Sequence, residues 1–218
     1  MTKAAAETPR PRGNRQRERT RTALLSAGQA LFATRAVDSV TVDDIVGAAD
    51  VAKGSFYNHF ADKDEFAATI YELVQGDVEF HIFSVNQEVT DAPTRIARAL
   101  CTVMRYALDH PERLMALLSM SERRTTSESP LNAGVSADVR HGIEQGRLCN
   151  MDLETGVLMV IGTVQSTVRH AMSGDAKAFP ADLASSMAGA LLRALGLPYA
   201  EAQSLGRAAA DDLLRGEA

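Results

Sequence analysis

The 218-residue sequence predicts an all-α fold. Apolar side chains recur three and four positions apart along most of the chain, the period of a helix that buries one face. No stretch alternates apolar and polar residues between hairpin signals, as a half-buried strand would. Two pairs, Thr41 with Asp44 and Asp62 with Glu65, have the form of capping boxes, in which side chains satisfy backbone N–H groups that a first helical turn leaves free.

Each element follows from local pattern. Leu24, Leu25, Gly28, Leu31 and Phe32 share one face of a first helix, Thr20–Thr34, with Arg19, Arg21, Gln29 and Arg35 around the rest. Thr41 caps a short second helix ending at Ala48 or Ala49. Asp50-Val51-Ala52 is a tight connection, and Lys53–His59 makes about two turns of a third helix. Its Phe56 points inward with Phe60, four residues on, while Lys53, Ser55, Tyr57, Asn58 and His59 face outward. Asp62 starts a fourth helix through about His81, with Phe66, Ile70, Leu73 and Val74 as its inner stripe. Further helices are expected at Ala92–Asp109, at Pro111–Met120, where Pro suits the first turn, and at Leu131–Gln145, Leu153–Met172 and Pro180–Leu195. Ser121–Pro130 reads as a loop. An Ala-rich last helix, Tyr199–Leu214, is expected to dock loosely.

Composition bounds the function. The length fits one small and one larger helical domain. No apolar run comes near the roughly 18–20 residues that span a bilayer, so no membrane partner is expected. The N-terminus lacks the apolar segment of a secretory signal, which makes the cytoplasm the expected location. Cys101 and Cys149 are too few for a disulfide framework and are read as buried, reduced thiols. The net charge of −5 conceals a division: residues 1–63 carry ten Lys/Arg against seven Asp/Glu, a net of +3, and the remainder carries −8. Between Arg10 and Arg21 six arginines face one acid, Glu18. Residues 1–17 are expected to form a disordered basic arm whose charge is available to phosphates.

Two short helices joined by a three-residue turn, braced by a longer helix before them, form a helix-turn-helix arrangement, whose second member enters the major groove of DNA. The side chains suit that partner. Lys53 and Lys63 can neutralise phosphates, Tyr57 and His59 can donate hydrogen bonds to phosphate oxygens, and Gly54 lets backbone approach closely. Thr41 and Lys63 lie at helix N-termini, where free N–H groups attract anions. Double-stranded DNA is the expected partner.

The stretch LFATRAVDSVTVDDIVGAADVAKGSFYNHFADKDEF, within about Arg21–Tyr71, resembles the TetR family of bacterial transcriptional regulators. A Phe and a turn are followed in order by Thr-x-x-x-Ile-x-x-x-Ala, Val-x-x-Gly-x-x-Tyr-x-x-Phe and Lys-x-x-Phe. Ala52 departs from the pattern, since the family often supplies a capping hydroxyl there; the loss costs about 1 kcal/mol. The resemblance implies an N-terminal three-helix helix-turn-helix DNA-binding domain, residues 18–63, and a larger C-terminal helical ligand-binding and dimerisation domain, residues 64–218, with 64–81 as connecting helix. It further implies that Ser55 and Asn58 read base edges, while Thr41, Tyr57, His59 and Lys63 fix register on phosphates. Leu153–Met172 and Pro180–Leu195, rich in small residues such as Gly162, Ala188 and Ala190, would pair with their copies in a homodimer. The two recognition helices would then sit about 34–36 Å apart on a near-palindromic operator. A small-molecule effector would move the fourth helix and release DNA. Repression relieved by ligand is the expected function, with a ligand-responsive activator as the alternative.

Two other classes fit less well. His59, Asp62 and Tyr57 could supply a base, its orienter and an acid, but no nucleophile motif, phosphate-cradling glycine loop or metal spacing accompanies them. Histidines 59, 81, 110, 141 and 170 include no i, i+4 pair, so neither catalysis, cofactor nor metal is expected. A helical adaptor would leave the basic front without purpose. Seven of the eight methionines lie between residues 104 and 187, most of them read as core filling. As lining of a small, partly apolar ligand pocket, the sequence offers Met104, Tyr106, Met120, Met159, Gln165, Arg169 and His170.

Overall fold

The structure, a computed structural model, describes residues 12–121, 132–149, 151–173 and 180–216. Of the loop expected at Ser121–Pro130, Ser121 ends a helix and residues 122–130 lie outside them; of the arm expected to be disordered over residues 1–17, the first eleven lie outside and residues 12–17 are helical. Among the described residues ten α-helices follow in order: α1 Arg12–Thr34, α2 Val42–Ala48, α3 Lys53–Tyr57, α4 Lys63–Asn86, α5 Ala92–Asp109, α6 Pro111–Ser121, α7 Ala133–Glu144, α8 Leu153–Met172, α9 Pro180–Ala194 and α10 Tyr199–Ala210. A 3-10 turn at Val37–Ser39 precedes α2, and a π-helical turn at Asp211–Arg215 closes the chain. No strand occurs among the described residues.

Caps set most boundaries. The Thr41 side chain accepts from Asp44 N–H at 3.1 Å, and Asp44 accepts from Thr41 N–H at 2.8 Å, completing the box at α2. At α4 the Asp62 carboxylate accepts from Glu65 N–H at 2.8 Å, while Glu65 reaches back to Ala61 N–H, one residue before the cap. The α2–α3 turn returns bonds from Asp50 N–H to Gly47 and from Val51 N–H to Val46, with Asp50 in the left-handed region at φ 52°.

Four boundaries and placements differ from expectation, each for a physical reason. Helix α1 begins eight residues before Thr20, through a segment with four arginines, a residue that favours helix. Helix α3 ends at Tyr57, because Phe56 O accepts from His59 N–H at 2.9 Å and tightens the last turn. Helix α4 runs on to Asn86 because two arginines of α5 hold its end. Arg98 donates to Val85 O at 2.9 and 3.2 Å, and Arg95 donates to Asn86 O at 2.9 Å and to Val89 O at 3.0 Å. These arginines also pair at 2.6 Å with Asp138 of α7 and Asp212 of the terminal turn. Leu73 faces solvent, the α4 stripe being Phe66, Ile70, Val74 and Val78 at strict four-residue spacing.

Two side-chain clusters form the core. The first joins Leu24, Phe32, Ile45, Phe56, Phe60 and Phe66 to Tyr106 and Ala107 of α5 and to the apolar face of α6. The second joins Ile96, Leu100 and Met104 of α5 to α7, α8, α9 and α10. Helix α5 belongs to both, so the front helices are packed onto the body rather than tethered to it. Ser119 of α6 reinforces this, donating to Phe32 O of α1 at 2.7 Å. At Gly28 a Cβ would lie 2.5 Å from the Phe66 ring, so the close approach of α1 to α4 requires glycine.

Two further expectations are corrected. Helix α10 docks tightly on α9: a Cβ on Gly206 would meet Ser185 O at 2.7 Å and Gly189 N at 2.8 Å. Cys101 is buried, and burial pushes its thiol up to about 12, but Cys149 is exposed in the turn after α7, where its N–H donates to Leu195 O at 3.2 Å.

Candidate nucleic-acid interface

Helix α3 is short and polar, and its place is set by rings beneath it. Phe56 is fully buried, its centroid 5.3 Å from that of Phe66 and 5.6 Å from that of Phe60. Edge-on and tilted contacts of this kind add to the area buried. With Phe56 fixed inward, Lys53, Gly54, Tyr57 and Asn58 are left exposed, and Ser55 and His59 half-buried. A Cβ at Gly54 would meet nothing within 4 Å, so this stretch of backbone is open to a partner. Tyr57 is 54% exposed, its ring edge against Phe56 at 5.4 Å.

The cations around α3 are not all equally available. Lys53 pairs with Asp43 of α2 at 2.8 Å, which raises its pKa through that hydrogen bond. Lys63 donates to Val37 O and Val40 O, both at 2.9 Å, and is half-buried. Thr41 is exposed but engaged in its cap with Asp44. Two arginines of α1 join the face instead. Arg17 reaches Asn58 O at 3.4 Å, and the Arg21 guanidinium lies over the Phe60 ring, 5.4 Å from its centroid. Burial, and then Arg17 and Arg21 close by, lower the His59 pKa. Sequence reasoning assigned these arginines to a charged arm and a solvated face; the signal that could have found them is helical spacing, which puts 17 and 21 one above the other.

The seven residues offered for a ligand pocket are spread over both core clusters and the surface. Met104 lies in the second core cluster and Met120 in the first, both buried, and Met159 is partly buried against the second. Gln165 is half-buried and His170 exposed. Arg169 donates to Leu118 O of α6 at 2.9 Å. Tyr106 is buried and donates to the Asp77 carboxylate of α4 at 2.9 Å; burial first, then that bond, raises its pKa. Arg113 of α6 joins the same carboxylate at 2.9 Å. Among the described residues no group of three or more His, Cys, Asp or Glu could hold a metal ion, and no helix is long and apolar enough to cross a membrane.

Residues 24–70 match the family model described as bacterial regulatory proteins, tetR family, and residues 91–208 match the tetracyclin repressor-like C-terminal domain. The HTH-type transcriptional repressor DhaR of Mycobacterium sp. (strain GP1) is 35% identical over 72 residues, 33% of this chain and 36% of its own length. The uncharacterised HTH-type regulator YwcC of Bacillus subtilis (strain 168) is 44% identical over 60 residues, 28% of this chain and 27% of its own length. The chain therefore spans only about a third of these curated relatives in alignment. The crystal structure of RolR with resorcinol is similar over 88% of this chain and 95% of its own, with 26% identity and a TM-score of 0.64. A gamma-butyrolactone receptor (ArpA-like protein), 19% identical, shares the fold over 92% of this chain and 98% of its own, with a TM-score of 0.69. With one family model on the helix-turn-helix and a second over more than half of the chain behind it, this chain belongs to the tetR family of bacterial regulatory proteins.

Proposed function

We propose that this protein is a ligand-responsive transcriptional repressor that binds double-stranded DNA through α3. The observation that carries the reading is the outward row Lys53, Gly54, Tyr57 and Asn58, exposed above a buried Phe56 and flanked by Arg17 and Arg21. Asn58 and Ser55 read base edges; Tyr57, His59 and the surrounding cations bind phosphates, with Thr41 and Lys63 at the two helix starts beside them. The helix-turn-helix comprises residues 18–63, α4 connects it to the body, and the body carries ligand and partner subunit.

The protein acts as a homodimer on a near-palindromic operator in the bacterial cytoplasm, at the nucleoid when bound. Helices α8 and α9 are the pairing surface. On α8 Leu158 is 47% exposed and Gly162 has open space around it, and on α9 Ser186 and Ala190 are exposed, a small and apolar surface suited to a second copy. The similarity to RolR, crystallised with resorcinol, supports a compact aromatic effector.

Selection of bound DNA from a random pool, followed by salt titration of affinity, tests this reading. The expected result is a two-half-site sequence whose binding weakens steeply with salt, as phosphate contacts require. Tyr57→Ala should weaken binding about tenfold on all sequences, and Asn58→Ala should relax base preference at one position of each half-site, worth about 1–3 kcal/mol of discrimination. Binding that enriches no sequence, or that ignores both substitutions, overturns the assignment of α3.

A further inference from the structure

Helix α4 is apolar on two sides. Phe66, Ile70, Val74 and Val78 fill the core, while on the outer side Leu73, Phe80 and Phe83 stand 45%, 65% and 61% exposed. Thr69, Gly76 and the C-cap Gln87 complete that outer line. Its six positions alternate spacings of four and three, the a/d repeat of a coiled coil, over about 27 Å of helix. Helices that are apolar all round are buried all round, and a contiguous apolar patch on a folded surface marks a place of association.

Gly76 lies in the middle of this line. A Cβ there would meet nothing within 4 Å, so nothing inside the chain requires glycine, in contrast to Gly28. A glycine in a helix interior weakens it, and this one has no packing reason of its own. Between Leu73 and Phe80 it leaves a notch that a side chain of a second helix can enter as a knob enters a hole.

Charge decides which helix fits. Glu65, Glu72 and Glu79, all exposed and seven residues apart, form a row along one edge of the seam. The basic residues of α4 lie elsewhere: Lys63 donates to the Val37 and Val40 carbonyls, and the His81 ring sits against Tyr106 of α5. A second copy of α4 fits badly. Laid antiparallel, it sets one glutamate row against the other; laid parallel, it sets Glu72 against Asp77, an acid that Arg113 and Tyr106 already hold. An anionic membrane surface is repelled by the same row.

We propose that the outer seam of α4 docks an amphipathic helix of another protein, one whose aliphatic a/d stripe is edged by Lys or Arg. The stripe packs over Leu73, Phe80 and Phe83, one of its residues enters at Gly76, and the basic edge meets the three glutamates. The seam uses none of the residues assigned to DNA or to the pairing of copies on α8 and α9.

Fluorescence anisotropy of labelled synthetic peptides added to the full chain tests the seam. The first peptide has about three heptads with Leu at a and d and Lys at e and g. A second carries Glu in place of Lys, and a third has the composition of the first, scrambled so that no apolar stripe forms. The Lys-edged peptide should bind about tenfold more tightly than either of the others. Phe80→Ser combined with Phe83→Ser should weaken it about tenfold with helix content by circular dichroism unchanged. Glu72→Lys combined with Glu79→Lys should invert the preference, so that the Glu-edged peptide binds the more tightly. Gly76→Lys, which closes the notch with a residue that favours helix, should weaken the Lys-edged peptide about fivefold and replaces the Phe variants should they melt early. No binding, equal binding of the first and third peptides, or affinity indifferent to these substitutions overturns the seam. So does a sedimenting mass that falls on Phe80→Ser, which assigns the seam to a second copy, or binding to phosphatidylglycerol vesicles lost on the same change, which assigns it to a membrane.

Discussion

The Lys63 ammonium donates to the carbonyl of Val40 at 2.9 Å, and to that of Val37 at the same distance, so the first residue of α4 fastens the loop that leads into α2. A lysine in this place looks like a phosphate contact in the sequence, yet its side chain points back into the fold. Lys63→Met should leave both carbonyls without a charged donor and lower stability by about 2 kcal/mol. Urea unfolding checks the loss. DNA binding of the variant, measured at low temperature where it stays folded, then separates a direct phosphate role from the structural one.

Thr41→Ala should cost about 1 kcal/mol through loss of the α2 cap, and Thr41→Ser almost nothing. The same box has an acid limit. Hydrogen bonds first from the Thr41 backbone and then from its hydroxyl, with Arg35 adding to them, lower the Asp44 carboxyl from 3.8 to about 2. A depressed carboxyl stabilises the fold above its unfolded value and ceases to do so as pH falls through the folded one. The difference in urea midpoint between wild type and Asp44→Asn should therefore be constant down to about pH 4 and vanish toward pH 2.

His59 offers a pH test of the interface. Burial, Arg17 and Arg21 hold its pKa below 6.5 in the free protein, which keeps the ring neutral at pH 7. A phosphate beside it would raise that pKa, so binding would take up a proton and affinity would rise as pH falls below neutrality. His59→Gln should flatten the dependence. An unchanged slope in the variant would place His59 away from the phosphates.

Gly196→Ala should destabilise the body by about 2 kcal/mol, the cost of a side chain in a rarely allowed conformation. Gly196 has φ 104°, and a Cβ there would lie 2.6 Å from Cys149 Sγ and 3.0 Å from Cys149 O. Its N–H closes α9 on Arg193 O, and the next N–H on Leu192 O, both at 3.0 Å. Denaturation of the variant should show a lower midpoint with α3 and its DNA affinity unaffected once the chain is folded.

Local chemistry made much of this molecule legible in the sequence. The cap at Thr41 links residues three apart, the Phe56–Phe60 pair four apart, and the bounds of α5 and α8 match the apolar period to the residue. What the sequence alone determined was therefore the helices, the exposed row on α3 and the family pattern those residues carry, because all of these depend on neighbours within a turn or two. Only the tertiary structure decided which polar groups are already engaged. Lys63 finds carbonyls 23 and 26 residues away, Arg98 finds Asp212 across 114, and Tyr106 finds Asp77 across 29. Charged and hydroxyl groups have many possible partners of the right chemistry, and which is met depends on how helices pack, a choice that periodicity along one helix does not contain.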